Sequence, residues 1–537
     1  MPQTLEDLLL QEHNPDISNE SLESKHYNIL SRIFQTFHEL GTPDKSNSLK
    51  FFGFLEDHND WIRAIVAYHL NLPINACQVA DSGDWLHGSC NVCIPVTVAG
   101  LNPKLQPGNR VLVRFPLPYR VGEFSKPGNS DEKVRCEAGT YAWLEENCPD
   151  VPIPRLYGFG MGTGETFTRI ENLPLMSYWI ECFHRTLLIL LGHPIRSRYV
   201  RRQTRPRWGD PRIPYLLIEY IEESQGRMLS STWNSHYHNT ELRANFFRDL
   251  SRIYLSLSKV PHSKIGLFII NNNGFLLLNN CPLSLQIQEL ENENIPVDIP
   301  QHWTYSTVDS YITDMLSLHD SRLRSQPNAV NDMPDFLYQA SCLATMRTVS
   351  PLFFQRHLRR GPFIFSLTDL HPSNIFVDEN WHITSLVDLE YACSLPIEMV
   401  HPPQWLTTMA VDRIMPEEYN PQRLEFMTLL AGEEELCYSF GKGELRLSNV
   451  MGTAWSMGTF WYSLALTTPS GLFNIFRNQI RPCFIHRPED NNHEEDDRSL
   501  EFMPWYWARN IAAIYGRKVA DKRMYDDQLQ HEFEDCR

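Results

Sequence analysis

Positive charge is in short supply in this chain. Lys and Arg total 48 against 65 Asp and Glu, giving a formal net charge of −17 at pH 7 over 537 residues. Long-range attraction to nucleic acid or to an anionic membrane is therefore not expected, and a cationic or neutral small partner suits the field better, although salt screens distant charges. Long apolar runs are missing too: no stretch reaches the ~20 residues that span a bilayer. The longest candidate, Trp179 to Gly192, is interrupted by Glu181, His184 and Arg185 and reads as a buried or half-buried helix. No basic segment precedes an apolar run at the N-terminus, so no signal peptide is expected. The twelve cysteines show no framework, and Cys90 and Cys93 form the sole CxxC, without a second pair or a nearby His. Such usage points to reduced thiols in a cytoplasmic protein rather than to zinc or redox chemistry. Internal repeats and sizeable low-complexity segments are also lacking.

What is present divides along the chain. Residues 1–80 read as a helical extension, with Tyr27, Leu30, Ile33, Phe34 and Phe37 at helical spacing. Residues 81–222 read as a strand-rich lobe. Its expected strands are Asn91–Val98, Val111–Phe115 after a Pro-Gly turn at 107–108, Leu156–Phe159 and Tyr215–Ile221, with one prominent helix over Asp131–Glu146. An insertion at about 161–212 carries the apolar helix and an arginine run, Arg196, Arg198, Arg201, Arg202, Arg205 and Arg207. With little aromatic interleaving in an acidic chain, that run reads as a solvated or acid-pairing face. Residues 223–485 read as a mostly helical lobe, including a helix over Leu242–Ser258 and a hairpin over Gly266–Asn280 that turns at Asn271 to Gly274. Residues 486–537 read as an acidic linker followed by an amphipathic helix from about Met503 to Arg523.

The chemistry concentrates between residues 365 and 390. Asp369 and Asn374 lie five apart across a turn containing Pro372, a spacing like the D-x-x-x-x-N of kinase catalytic loops. Asp388 follows after two apolar strands turning at Glu379-Asn380, and that hairpin would fold it back beside Asn374. Phosphoryl transfer to a hydroxyl needs a carboxylate near the nucleophile and a few hard oxygen ligands for magnesium. The plain alternative is a surface turn capped by Asp369 with Asp388 at a strand edge.

Upstream, Val111-Leu-Val-Arg114 has the form of a kinase phosphate-binding strand with Arg in place of Lys. Alternation puts Leu112 and Arg114 on one face, toward adenine and phosphate respectively. Glu137, on the inward face of the next helix, is placed to pair with Arg114; otherwise both are surface charges. Gly88, Ser89 and Asn91 occupy the place of a phosphate-covering turn, though with a single glycine. Tyr215 to Ile221, with Glu219, looks like the strand entering a nucleotide hinge.

These residues, with Pro154 to Gly158, Leu217 to Tyr220, Leu367 to Asp378 and Val387 to Glu390, resemble the fungal members of the aminoglycoside-phosphotransferase and choline-kinase-like family, over roughly 85–420. The resemblance implies an α+β, bilobal, protein-kinase-like fold with a strand-rich N-lobe and a mostly helical C-lobe. It implies ATP or GTP and Mg2+ as cofactors, Asp369 as catalytic aspartate, and Asn374 and Asp388 as metal ligands. Arg114, Glu137, Gly88, Ser89, Asn91, Leu112 and Glu219 are the candidates for holding the nucleotide. The expected partners are the nucleotide and a small-molecule acceptor, with neither nucleic acid nor membrane. Two departures stand out: Leu367-Thr368 replaces the His-Gly that precedes the catalytic Asp in the family, and Arg114 replaces Lys. They motivate an alternative, an inactive pseudokinase that binds a nucleotide or a protein partner.

Overall fold

The computed structural model describes residues 43–99, 109–202, 211–437, 445–469, 471–484 and 502–535. The expected helix around Tyr27 to Phe37, the Pro-Gly turn at 107–108, Arg205, Arg207 and the acidic linker lie outside them. Two compact units are present: residues 1–54 with 526–537, helical in its described part, and residues 55–525, which hold everything below.

The strand-rich lobe is one eight-stranded sheet with every pairing antiparallel. Helix α1 (Asn59–Leu70) precedes it, and the strands are β1 (Cys77–Val79), β2 (Leu86–His87), β3 (Asn91–Val98) and β4 (Arg110–Pro116). Helix α2 (Asn129–Asn147) follows, then β5 (Leu156–Gly160), β6 (Thr166–Arg169), helix α3 (Leu175–Leu190), β7 (Tyr199–Arg202) and β8 (Tyr215–Glu219). The strand order is β1-β3-β4-β8-β5-β6-β7, with β2 hairpinned onto β3. Alternation explains the core: Val92, Ile94, Val96 and Val98 of β3 bury beside Val111, Val113 and Phe115 of β4. The sheet thus begins within the residues read as an extension. α1 packs on it through Trp61, which meets Phe115 and Tyr215, and through His69, whose ring nitrogens bond Thr168 and Tyr215. The stretch read as an insertion likewise supplies two sheet strands, β6 and β7.

Helix α2 is set by both its ends and its face. Glu123 accepts from the backbone N–H groups of Gly128 and Ser130, which satisfies donors at the helix start and opposes its positive pole. Val134, Glu137, Tyr141 and Leu144 are buried on one side. Gly139 lets the helix approach the hairpin behind it: a Cβ there would stand 2.1 Å from the Phe268 carbonyl oxygen.

The C-terminal lobe is mostly helical. Its elements are β9 (Arg227–Met228), α4 (Thr240–Ser258), β10 (Leu267–Ile270), β11 (Leu276–Asn280), α5 (Leu285–Asn292), α6 (Val308–Ser325) and α7 (Met333–Phe353). There follow β12 (Phe363–Ser366), β13 (Ile375–Val377), β14 (Ile383–Leu386), β15 (Cys393–Pro396), α8 (Pro416–Cys437), α9 (Leu447–Ser456) and α10 (Thr459–Thr467). Asn239, Ser284, Thr307 and Asp332 each accept from a backbone N–H of the helix that follows, capping α4, α5, α6 and α7. The bilobal α+β architecture of the kinase-like kind is thus present. Near the C-terminus the expected single helix is two, at 502–507 and Ile511–Asp535.

One expectation is overturned. The helix containing Trp179 was read as buried or half-buried, yet α3 has no buried residue, and Trp179, Ile180 and Phe183 are 67%, 63% and 71% exposed. Its apolar content matched a core helix, but composition does not say which face meets the protein. Among the described residues no helix is long and apolar enough to cross a membrane.

Candidate active site

The site is built at the junction of the lobes. Trp143 of α2 stacks on Phe365 of β12 with ring centroids 4.3 Å apart, coupling the helix of one lobe to the strand that enters the loop carrying Asp369. β12 pairs with β15 from Phe363↔Pro396 to Ser366↔Cys393, so both ends of the segment 367–392 leave one strand pair. Within it, β13 and β14 form the expected hairpin, and Val387 N–H donates to the Asn374 carbonyl at 2.9 Å. That bond places Asp388 next to the Asn374 backbone. Asp388 takes φ +60°, a left-handed conformation that Asp tolerates better than most residues. Asn374 Nδ2 donates to the backbone oxygen of Asp369 at 3.0 Å and to its carboxylate at 3.3 Å.

Bracing of this loop falls to residues the sequence did not mark. Thr368, where the resembled family has Gly, donates its hydroxyl to the Tyr391 carbonyl at 2.7 Å. Trp405 Nε1 donates to the Leu370 carbonyl at 2.6 Å from the helical side. Leu367 packs against the core.

Arg114 reaches this loop from β4. Its guanidinium is 6% exposed and meets three carboxylates: Asp388 in a short contact, Glu390 at 2.8 Å and Glu137 at 3.6 Å. Neither Arg114 nor Glu137, itself 1% exposed, is a surface charge. Glu390 is the hub. It also accepts from Lys133 at 2.9 Å and from Asn91 Nδ2 at 2.8 Å, both buried. Lys133 further donates to Gln288, which Tyr391 also bonds. A buried charge in such surroundings is tolerable only when paired and hydrogen-bonded.

The acids respond differently to this crowding. Burial opposes ionisation of Glu390, but Lys133 and Arg114 outweigh it and hold its acid down at about 2. Glu137 is pushed up to about 8 by burial, which Arg114 only partly offsets, with Glu390 and Asp388 adding to the rise. Asp369 is pushed up to about 7 by the cleft around it, then by the charges of Asp388 and Glu390. Its side chain is exposed at the cavity wall, so solvent weakens both the burial and the like-charge causes, and the upward direction is what they share.

Asp369, Asp388 and Glu390 open onto a cavity of about 460 Å3, whose other walls include Tyr254, Leu283, Tyr311, Met315, Met399 and Val400. Ser89 lines it too, while Gly88 closes the β2–β3 turn by donating to the Asn91 carbonyl. The structure thus gathers Arg114, Glu137, Asn91, Asp369, Asn374 and Asp388. Leu112 is half-buried against the core, and the Glu219 carboxylate accepts from the Arg155 backbone N–H, so neither is bonded to this cluster. Lys133 was missed although it lies one turn before Glu137 on the same helix face, a spacing that would have revealed it.

The donors suit magnesium on a nucleotide. Among the described residues no three His, Cys, Asp or Glu side chains gather as a metal cage. Magnesium on a nucleotide needs fewer, one or two protein oxygens with phosphate and water completing the shell. Asp388 gives Arg114 one of its two oxygens. Buried Arg114 Nε and Glu137 Oε1 have no hydrogen-bond partner, although Arg114 Nε lies 3.6 Å from the other Glu137 oxygen.

No protein-family model matches the sequence, and no characterised protein matches it in sequence. Among solved structures the chain is similar to an ethanolamine kinase of Plasmodium vivax at 10% identity, over 83% of this chain and 85% of that one, with a TM-score of 0.33. It is similar to the macrolide 2′-phosphotransferase MphH of Brachybacterium faecium at 12% identity, over 81% and 100%, with a TM-score of 0.32. A type I macrolide 2′-phosphotransferase aligns at 12% identity over 75% and 90%, with a TM-score of 0.27. At such scores the site has to be read from its own residues.

Proposed function

We propose that this chain transfers the γ-phosphoryl group of ATP or GTP to a hydroxyl of a small, largely apolar acceptor. One observation carries the reading: a buried cation from the strand-rich lobe, Arg114, converges on Asp388 of the helical lobe, with Asp369 and Asn374 alongside and a cavity in front. In this reading Arg114, held by Glu137 and Glu390, donates to phosphate oxygens and exchanges part of its contact with Asp388 for them. The acceptor oxygen attacks the γ-phosphorus while the bond to the bridging oxygen breaks, and Asp369 orients the hydroxyl and takes its proton. Asn374 and Asp388 would hold magnesium, which supplies charge neutralisation on the phosphates when bound. The apolar cavity walls favour a neutral body on the acceptor over a polycation. This is also the chemistry implied by the resemblance to the fungal phosphotransferases.

A second reading has its own support. The direct Arg114–Asp388 pair engages a metal ligand with a protein cation, as a nucleotide-binding module without transfer would tolerate. Titration calorimetry with ATP and GTP, with and without magnesium, separates these. Magnesium-dependent binding lost in Asp388→Ala, and phosphorylation of a cavity-sized alcohol lost in Asp369→Asn, are expected. Binding without magnesium dependence favours the module, and no binding by the folded protein removes both readings.

A further inference from the structure

Helix α3 is amphipathic in the wrong sense for a lone protein. Met176, Ile180, Phe183, Leu187 and Leu190 follow one another at intervals of four, three, four and three, the repeat of a helix–helix seam. Trp179 lies beside them. These six are 41–78% exposed. The face turned to the protein is the polar one. Arg185 donates to the carbonyls of Arg196 and Ser197, and Glu181 pairs with Arg196. Including Leu175, Ile189 and Leu191, nine large side chains project into water. Trp179 and Phe183 alone, at ~150–250 Å2 each when fully exposed, leave on the order of 300 Å2 in water, and the aliphatic side chains of the stripe add to it. A monomer's largest apolar patch is typically ~300–600 Å2, whereas ~800 Å2 per partner is what a stable interface needs.

We propose that α3 is the seam of a homodimer, packed antiparallel against α3 of a second copy about a two-fold axis at Phe183. The stripe is self-complementary in that arrangement at all but one position: Met176 faces the other copy's Leu190, Trp179 its Leu187 and Phe183 its own counterpart, while Ile180 faces Thr186. An isologous contact requires such palindromy, and no charged residue lies on the stripe to oppose itself. A lipid surface fits less well. Nine arginines against four acids between residues 161 and 212 make this segment locally basic in an acidic chain. However, Arg196, Arg198 and Arg201 pair with Glu181, Glu171 and Glu165, leaving those cations spoken for within the protein.

The test is sedimentation of the full chain over a wide concentration range, for the wild type and for Phe183→Glu and Ile180→Glu. Both positions are exposed, so the thermal unfolding profile of the dilute variants should match the wild type and exclude misfolding. A wild-type dimer weakened at least about thirtyfold by either substitution, the scale of a central hot spot, is the expected result. Three results would each overturn it. One is a wild type that stays monomeric at every concentration. Another is a dimer unaffected by both substitutions, and the third a monomer that floats with phosphatidylserine vesicles through Phe183.

Discussion

Two regions of this molecule break the usual sorting of residues, and they break it in opposite directions. Around Arg114 the chain buries charge: Arg114, Lys133, Glu137 and Glu390 are each less than a tenth exposed. Along α3 it exposes hydrocarbon and turns its charged groups inward. Neither arrangement helps a lone chain to fold, because burying ions is costly and exposing apolar area forgoes the main driving force. Local conflict with folding is what functional sites tend to show. The contrast lies in what each region faces: the buried charges back a cavity lined by Asp369, Asp388 and Glu390, which suits a polar ligand, and the exposed hydrocarbon of α3 faces water, which suits another surface.

The largest expected effect is at the hub of the buried charges. Glu390→Gln removes the anion that Lys133 and Arg114 share, leaving Lys133 buried without a carboxylate while Arg114 keeps Asp388 and Glu137, and should destabilise the fold by about 3 kcal/mol. Urea unfolding measures it, and a loss below about 1 kcal/mol would mean the network is solvated rather than buried. The isosteric change matters, because Gln keeps the volume and the bond to Asn91 while deleting the charge.

A smaller effect concerns pH and separates Asp369 from that hub. The fold holds the Asp369 proton to about pH 7, whereas an unfolded chain releases it in the ordinary carboxylate range, near 3.8. Its contribution to stability is therefore fully present below about 4 and is lost as pH rises through about 7. Glu390 runs the other way: held near 2, it stabilises above its ordinary value of 4.5 and fails only as pH falls through about 2. Buried His69, His262 and His319, held down to about 3–4, add stability as pH rises through this range, so the test is a difference: across pH 4–8, Asp369→Asn should lose a part of the nucleotide-free protein's unfolding free energy that declines with rising pH. An unchanged pH dependence in Asp369→Asn would mean that Asp369 keeps its ordinary acidity in the fold.

The two regions were not equally legible in the sequence. Asp369, Asn374 and Asp388 stand at kinase-like spacing with a hairpin between, and β3, β4 and α2 follow from simple periodicity, so the frame of the site could be read directly. Lys133 shares the helix face of Glu137 and was open to the same reading, but its pairing with Glu390 was not, because their meeting depends on how α2 packs against β12, through Trp143 and Phe365, and no local pattern encodes that distance. Thr368 and Trp405 are similar: a backbone carbonyl is their partner, and carbonyls leave no trace in sequence. For α3 the periodicity was visible and its direction was not. An apolar stripe reads identically whether it faces a core or a second molecule.

The smallest effect expected is at α3, and its smallness is the point. At concentrations dilute enough for monomers alone, Phe183→Ala should change the unfolding free energy by no more than about 0.5 kcal/mol, since an exposed ring has little packing to lose. The same substitution at Phe159, fully buried and stacked on Phe167, should cost about 3–5 kcal/mol. Raising the protein concentration then sharpens the contrast. If α3 is a seam, mass action stabilises the wild type as dimers form, while Phe183→Ala gains much less from the same increase. Phe159→Ala, which leaves the stripe intact, should gain as the wild type does. Parallel concentration dependence in wild type and Phe183→Ala would mean the exposed stripe has no part in self-association, and the hydrocarbon on α3 would then need a different partner.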